Sequence, residues 1–204
     1  MNSNKKYVFL VEDDDDLRSD LERALNFCGY SVFSFANPEE FLKEFKPVVP
    51  AILVTDMRMP KKSGVQLQSE LLEKGHKLPI IFISGESSDE QIVKAFKNGA
   101  FDFLLKPFSR EDFLSSVAKA IEQDTVAMKE LIRKTSLAQA LKTLSPRERQ
   151  VFNLLAKGYG NKELVEELGV ALSTVKEYKS EVMYKLRLRS LAELISLNNS
   201  LLNS

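Results

Sequence analysis

The chain has 204 residues, 44% of them apolar, which is enough for one large domain or two small ones of ordinary globular composition. No apolar run approaches the roughly 18 residues of a membrane span, the first six residues are too polar for a signal peptide, and the single Cys28 excludes an intramolecular disulfide. A cytoplasmic protein that does not enter membranes is therefore expected. The 29 basic and 29 acidic residues cancel overall but not locally: 16 basic against 20 acidic through position 123 leave −4, and the other 13 against 9 leave +4. The first part suits a cation and the second an anionic partner.

From Tyr7 onward, short apolar runs alternate with segments of helical period. The runs are YVFLV (7–11), YSVFSF (30–35), AILVT (51–55), IIFIS (80–84) and FDFLL (101–105). The first, third and fourth are nearly all apolar and rich in β-branched residues, as strands covered on both faces require. Helices are predicted over Leu17–Phe27, Pro38–Phe45, Val65–Lys74, Asp89–Asn98 and Arg110–Ile121. The order βαβαβαβαβα implies a doubly wound domain with a five-stranded parallel sheet. Phe33, Phe35, Phe41, Phe45 and Phe96 are expected in its core, and Cys28 as a small buried residue at a helix end. His76 reads as a surface loop residue with no metal-ligating partner nearby.

The polar stretch that follows, with a thin apolar stripe at Val126, Leu131 and Ile132, reads as a helical linker. Beyond it the chain is all-helical, with helices predicted over Pro146–Lys157, Lys162–Leu168, Ser173–Leu186 and Leu191–Leu197. The expected division is 1–122, a linker over 123–140, and 141–204: an α/β domain followed by a four-helix domain. Ser145, Pro146 and Glu148 make a strong helix start, as N-cap, N1 and N3. Asn161 and Ser173 are candidate starts for the next two helices, which the L-G-V-A-L turn joins into a helix-turn-helix.

Five carboxylates in succession, Glu12 to Asp16, follow the first strand. In an open parallel sheet, ligands bind beyond the C-terminal ends of the strands. Those ends supply Glu12 and Asp13, then Asp56, then Ser84, then Lys106. Three converging carboxylates raise one another's pKa values unless a cation joins them, and a hard oxygen site with room for water suits Mg²⁺. With the metal, an ionised Asp is a competent nucleophile for phosphoryl transfer, while a Lys ammonium and a hydroxyl balance charge on the phosphoryl oxygens. Asp14, Asp15 and Asp16 sit where the next helix begins, where carboxylates cap amides and complement the helix dipole.

V-E-D-D, I-L-V-T-D-M-R-M-P-K-K-S-G, I-I-F-I-S-G and F-L-L-K-P-F together resemble the receiver domains of two-component response regulators. The resemblance implies Asp56 as phosphoacceptor, Glu12 and Asp13 as the acid pair with Asp13 a direct Mg²⁺ ligand, and a further ligand in the Arg58 backbone carbonyl. It makes Ser84 the switch hydroxyl, Lys106 the phosphoryl contact and Phe103 the aromatic switch. Gly85 stands where Ala is commoner, and Arg58 and Glu86 fall at the positions that in this family influence phosphoryl lifetime.

In the second part, nine basic residues against six acidic ones between Ser145 and Ser190 are too modest an excess to establish nucleic-acid binding. The order of residues says more. L-S-P-R-E-R-Q-V, N-K-E-L and S-T-V-K-E-Y-K-S-E-V-M-Y-K-L resemble the LuxR-type helix-turn-helix, which places the chain in the FixJ/NarL branch of response regulators. That resemblance makes Ser173–Leu186 the recognition helix and implies a DNA interface of Lys162, Ser173, Thr174, Lys176, Glu177, Lys179 and Ser180. Tyr178 replaces a common His. The implied partners are a sensor histidine kinase, promoter DNA, RNA polymerase and, on phosphorylation, a second copy of the chain.

Two rival readings are weaker. An Asp-nucleophile phosphohydrolase usually needs a second Asp two residues after the nucleophile, where this chain has Arg58, so an enzyme is not expected. A phosphorylation-independent regulator usually lacks an acid, the hydroxyl or the Lys, and all of these are present.

Overall fold

The computed structural model describes residues 5–85 and 89–202. Strands β1 (Tyr7–Val11), β2 (Ser31–Phe35), β3 (Ala51–Asp56), β4 (Ile80–Ser84) and β5 (Asp102–Leu105) alternate with helices α1 (Asp15–Phe27), α2 (Pro38–Glu44), α3 (Gly64–Glu73), α4 (Asp89–Lys97) and α5 (Arg110–Lys142). All strand pairs are parallel, in the order β2-β1-β3-β4-β5. The three nearly apolar runs are the three central strands: residues 8–11, all of β3 and all of β4 are buried, while the edge strands β2 and β5 are mostly half-buried.

Strand alternation divides the core in two. Val8, Leu10, Ile52, Val54, Ile81 and Ile83 face Leu21 and Leu25 of α1 and Phe113, Val117 and Ile121 of α5. Phe9, Val11, Leu53 and Phe82 face Phe41 of α2, Leu67 and Leu71 of α3 and Ala95 of α4. Val8 is in register with Ile52 and Phe9 with Leu53, so a slip of one residue would exchange the two cores.

Some expected core residues lie elsewhere. Phe41 is fully buried and Phe35 and Phe45 pack against the core, but Phe33 is 46% exposed and Phe96 50%. Phe33 lies on an edge strand with no neighbour beyond it, and its ring stacks on those of Tyr7 and Phe9. Cys28 is exposed because it ends α1, where its amide donates to the carbonyls of Ala24 and Leu25. His76 packs edge-on to Phe45.

The chain divides by contacts into units Met1–Glu130 and Leu131–Ser204. In the first unit Asp124, one turn beyond the buried Ile121, accepts a hydrogen bond from the amide of Ala51 at 2.9 Å, at the start of β3. In the second, α6 (Pro146–Ala156), α7 (Asn161–Leu168), α8 (Leu172–Lys185) and α9 (Leu191–Leu202) enclose Val151, Leu155, Leu164, Val175, Val182 and Leu194.

Ser145 caps α6 as its sequence predicts: its Oγ accepts from the Glu148 amide, and Glu148 Oε2 accepts from the Ser145 amide at 2.7 Å. The Lys185 ammonium then donates to both Glu148 oxygens, at 2.8 Å each, and joins the end of α8 to the start of α6. Gly169 ends α7 in the left-handed conformation that a residue without Cβ adopts freely. Asn161 begins α7 as expected, with Gly160 as its N-cap, whereas α8 begins one residue before Ser173, at Leu172 with Ala171 as N-cap, because only Val170 and Ala171 separate Gly169 from the helix. Among the described residues no helix is long and apolar enough to cross a membrane.

Candidate functional site

In this strand order the chain reverses direction between β1 and β3, so the loops leaving these neighbouring strands diverge and open a crevice at their C-terminal ends. Glu12 and Asp13 follow β1 and Asp56 ends β3. Their carboxylates each offer an oxygen within 4.8 Å of the others. Lys106, just after β5, reaches across from the far side: its Nζ donates to Asp56 Oδ2 at 2.5 Å and to Glu12 Oε2 at 3.1 Å. Asp56 Oδ1 accepts from the Arg58 amide at 2.7 Å. The nearly buried Asp56 side chain is thus held at both oxygens.

Charge in the pocket follows from burial. Glu12 is 1% exposed, and its removal from water pushes its pKa up to about 7, with Asp56 adding to the rise and Lys106 opposing it. For Lys106, burial opposes the ammonium, but the hydrogen bond to Asp56 and the charges of Glu12 and Asp56 outweigh it and raise its pKa. The row of five carboxylates is relieved by this ammonium and by Arg18. The Arg18 guanidinium donates to the Glu12 carbonyl at 2.7 Å and pairs with Asp15. Asp14 caps α1 by accepting from the amides of Asp16 and Leu17.

Ser84 lies on the same edge, fully buried at the end of β4, where its carbonyl accepts from the Lys106 amide at 2.7 Å. Phe103 is half-buried on β5 against the core of α2, α3 and α4. The Arg58 side chain is exposed. Glu86 lies outside the described residues. Gly64 was not singled out from sequence, yet a Cβ there would stand 2.3 Å from the Asp56 carbonyl oxygen, so only glycine lets α3 begin against this strand end. Its one sequence signal is its place in the S-G that closes the motif around Asp56.

The helical unit presents one continuous exposed face on α8. Val175, Val182 and Leu186 are buried, whereas Ser173, Glu177 and Ser180 are exposed on the opposite side, Lys176 is exposed at its flank, and Thr174 and Lys179 are half-buried. Tyr178 packs against the core. Lys162 is exposed in the first turn of α7. A face with serines, a lysine and a carboxylate offers donors and acceptors suited to base edges and phosphates.

Residues 8–118 match the model of the response regulator receiver domain, and residues 142–198 that of the bacterial regulatory proteins of the luxR family. Nodulation protein W of Bradyrhizobium diazoefficiens is 41% identical over 98% of this chain and 88% of its own length. The transcriptional regulatory protein FixJ of the same organism is 31% identical over 96% of this chain and 95% of its own. The solved structure of the response regulator StyR superposes with a TM-score of 0.82 at 35% identity, covering 97% of this chain and all of that one. An acid pocket at a receiver's strand ends followed by a LuxR-type helix-turn-helix places this chain in the FixJ/NarL family of two-component response regulators, DNA-binding regulators of transcription.

Proposed function

We propose that Asp56 is the phosphoacceptor of this regulator and that a sensor histidine kinase is its donor. The observation that carries the reading is the pocket: a nearly buried carboxylate fixed by Lys106 and the Arg58 amide, beside two further acids. An Asp56 oxygen attacks phosphorus, an acyl phosphate forms, and the phosphorus–nitrogen bond of the donor breaks. Lys106 then exchanges its carboxylate contact for a phosphoryl oxygen, and the Ser84 hydroxyl donates to another. Three carboxylate donors suit a hard divalent cation; Glu12, Asp13, Asp56 and the Arg58 carbonyl would hold Mg²⁺, whose chemistry is to neutralise charge on the phosphoryl oxygens.

Movement of Ser84 and Phe103 toward the new charge shifts the receiver between two conformers. The active one pairs with a second copy through α4 or α5, and the paired C-terminal domains bind promoter DNA with α8 in the major groove. Ser173, Thr174, Lys176, Glu177, Lys179 and Ser180 form the interface, with Lys162 near the backbone. In this reading residues 1–122 are the receiver, 123–140 the linker and 141–204 the DNA-binding domain. The protein works in the cytoplasm, has RNA polymerase as a further partner and turns over no substrate of its own.

Intact mass and light scattering, after incubation with Mg²⁺ and a small acyl-phosphate donor, test the switch. Wild type gains one phosphoryl group and shifts toward dimer, and Asp56→Asn does neither. If wild type binds Mg²⁺ but is not modified, the phosphorylation-independent reading replaces this one.

A further inference from the structure

We infer that Tyr184 is a phosphate-contacting residue of the DNA interface, its phenol hydroxyl donating to the sugar-phosphate backbone beside the groove that α8 enters. The inference rests on the proposed placement of α8 in the major groove. Tyr184 is 81% exposed. The chain has five tyrosines, and Tyr7, Tyr30, Tyr159 and Tyr178 are all half-buried against other residues. Of the five, only the Tyr184 side chain is largely exposed.

Its position on the helix supplies one. At about 100° per residue, Tyr184 falls within about 20° of Ser173 and is aligned with Glu177 and Ser180, on the side opposite Val175 and Val182. It therefore extends the exposed face by one turn beyond the residues that sequence reasoning assigned to DNA. At about 1.5 Å per residue it stands roughly 16 Å along the axis from Ser173. That exceeds the major-groove width of about 12 Å, so a helix whose first turn meets base edges carries its last turn out to the flanking phosphates. A tyrosine hydroxyl there is a neutral donor to a phosphate oxygen, a contact that fixes register without reading sequence. Lys185, next in the chain, cannot substitute, because its ammonium is engaged by Glu148. Arg187, exposed just past the helix end, adds positive charge on the same border.

The test uses the full-length protein, treated with Mg²⁺ and the acyl-phosphate donor, and duplex DNA that the wild-type protein has selected from a randomised pool. Binding is followed by fluorescence anisotropy over a series of salt concentrations. Tyr184→Phe removes only the hydroxyl, at an exposed site where folding does not depend on it. The expected result is about tenfold weaker binding, as for a hydrogen bond to a charged group. The slope of log affinity against log salt stays unchanged, because a neutral donor releases no counterion. Lys176→Ala is expected both to weaken binding and to reduce that slope by about one. Wild-type affinity in Tyr184→Phe overturns the assignment, whatever Tyr184→Ala does. If Lys176→Ala is silent as well, the placement of α8 in the groove has failed with it.

Discussion

Glu148→Ala should loosen the helical unit as a whole, and the size of the effect follows from what Glu148 touches. Its carboxylate is nearly buried, accepts from the Ser145 amide at 2.7 Å and receives the Lys185 ammonium at 2.8 Å on both oxygens. Losing this half of the capping box costs about 1 kcal/mol. Losing the ion pair costs about another, taken at the modest end because the Lys185 side chain is 32% exposed and can return to water. A total of about 2 kcal/mol corresponds to a roughly 30-fold fall in amide protection across α6 and α8 by hydrogen exchange, with the receiver amides as an internal control.

The Lys185 hydrogen bond, then the Ser145 amide, hold the Glu148 pKa below its ordinary value. A depressed folded-state pKa means that this stabilisation is complete above the unfolded value of about 4.5 and is lost as pH falls through the folded one. The gap between wild type and Glu148→Ala should therefore close in acid. A gap of less than about threefold at neutral pH, or one that persists undiminished well below the ordinary carboxylate range, would refute this reasoning.

Gly64→Ala places a Cβ against the Asp56 carbonyl and must push α3 or the end of β3 aside. We expect a cost of about 1–3 kcal/mol from overpacking and slower phosphoryl uptake, read by urea denaturation and by intact mass against time. Glu12 behaves oppositely to Glu148: its folded pKa of about 7 lies above the ordinary carboxyl value of 4.5. The folded state therefore holds that proton more tightly, and without divalent cation receiver stability falls as pH rises from about 4.5 through about 7, by on the order of 3 kcal/mol. Added Mg²⁺ should then raise the melting temperature of the receiver more at pH 8 than at pH 5.5, and equal shifts at both would argue against a cation among these carboxylates.

The sheet was legible because a buried parallel strand leaves an unbroken apolar run, and β1, β3 and β4 have nothing else to show. The strand ends followed, and with them the convergence of Glu12, Asp13, Asp56, Ser84 and Lys106 on one edge. What escaped depends on neighbours remote in sequence. Phe33 reads like any strand phenylalanine until β2 is known to be an edge, and Cys28 reads as core until its amide is seen closing α1. The ion-pair partner of Glu148, Lys185, lies 37 residues away, and nothing local predicts that this helix-start carboxylate is buried. Tyr184 has the same kind of sequence context as Tyr178, yet one faces water and the other the core, a distinction set by helix phase against packed neighbours.

Asp124 bears on where the chain can be cut. A receiver trimmed at position 122, directly after the last buried residue of its core, would leave the Ala51 amide without its carboxylate partner at the foot of the strand that ends in Asp56. A fragment carried to position 130 keeps that partner. Proteases acting on the intact protein should on the same grounds leave the bond between residues 122 and 123 alone and cut further along α5, and the shortest receiver that melts like the parent should end beyond Asp124.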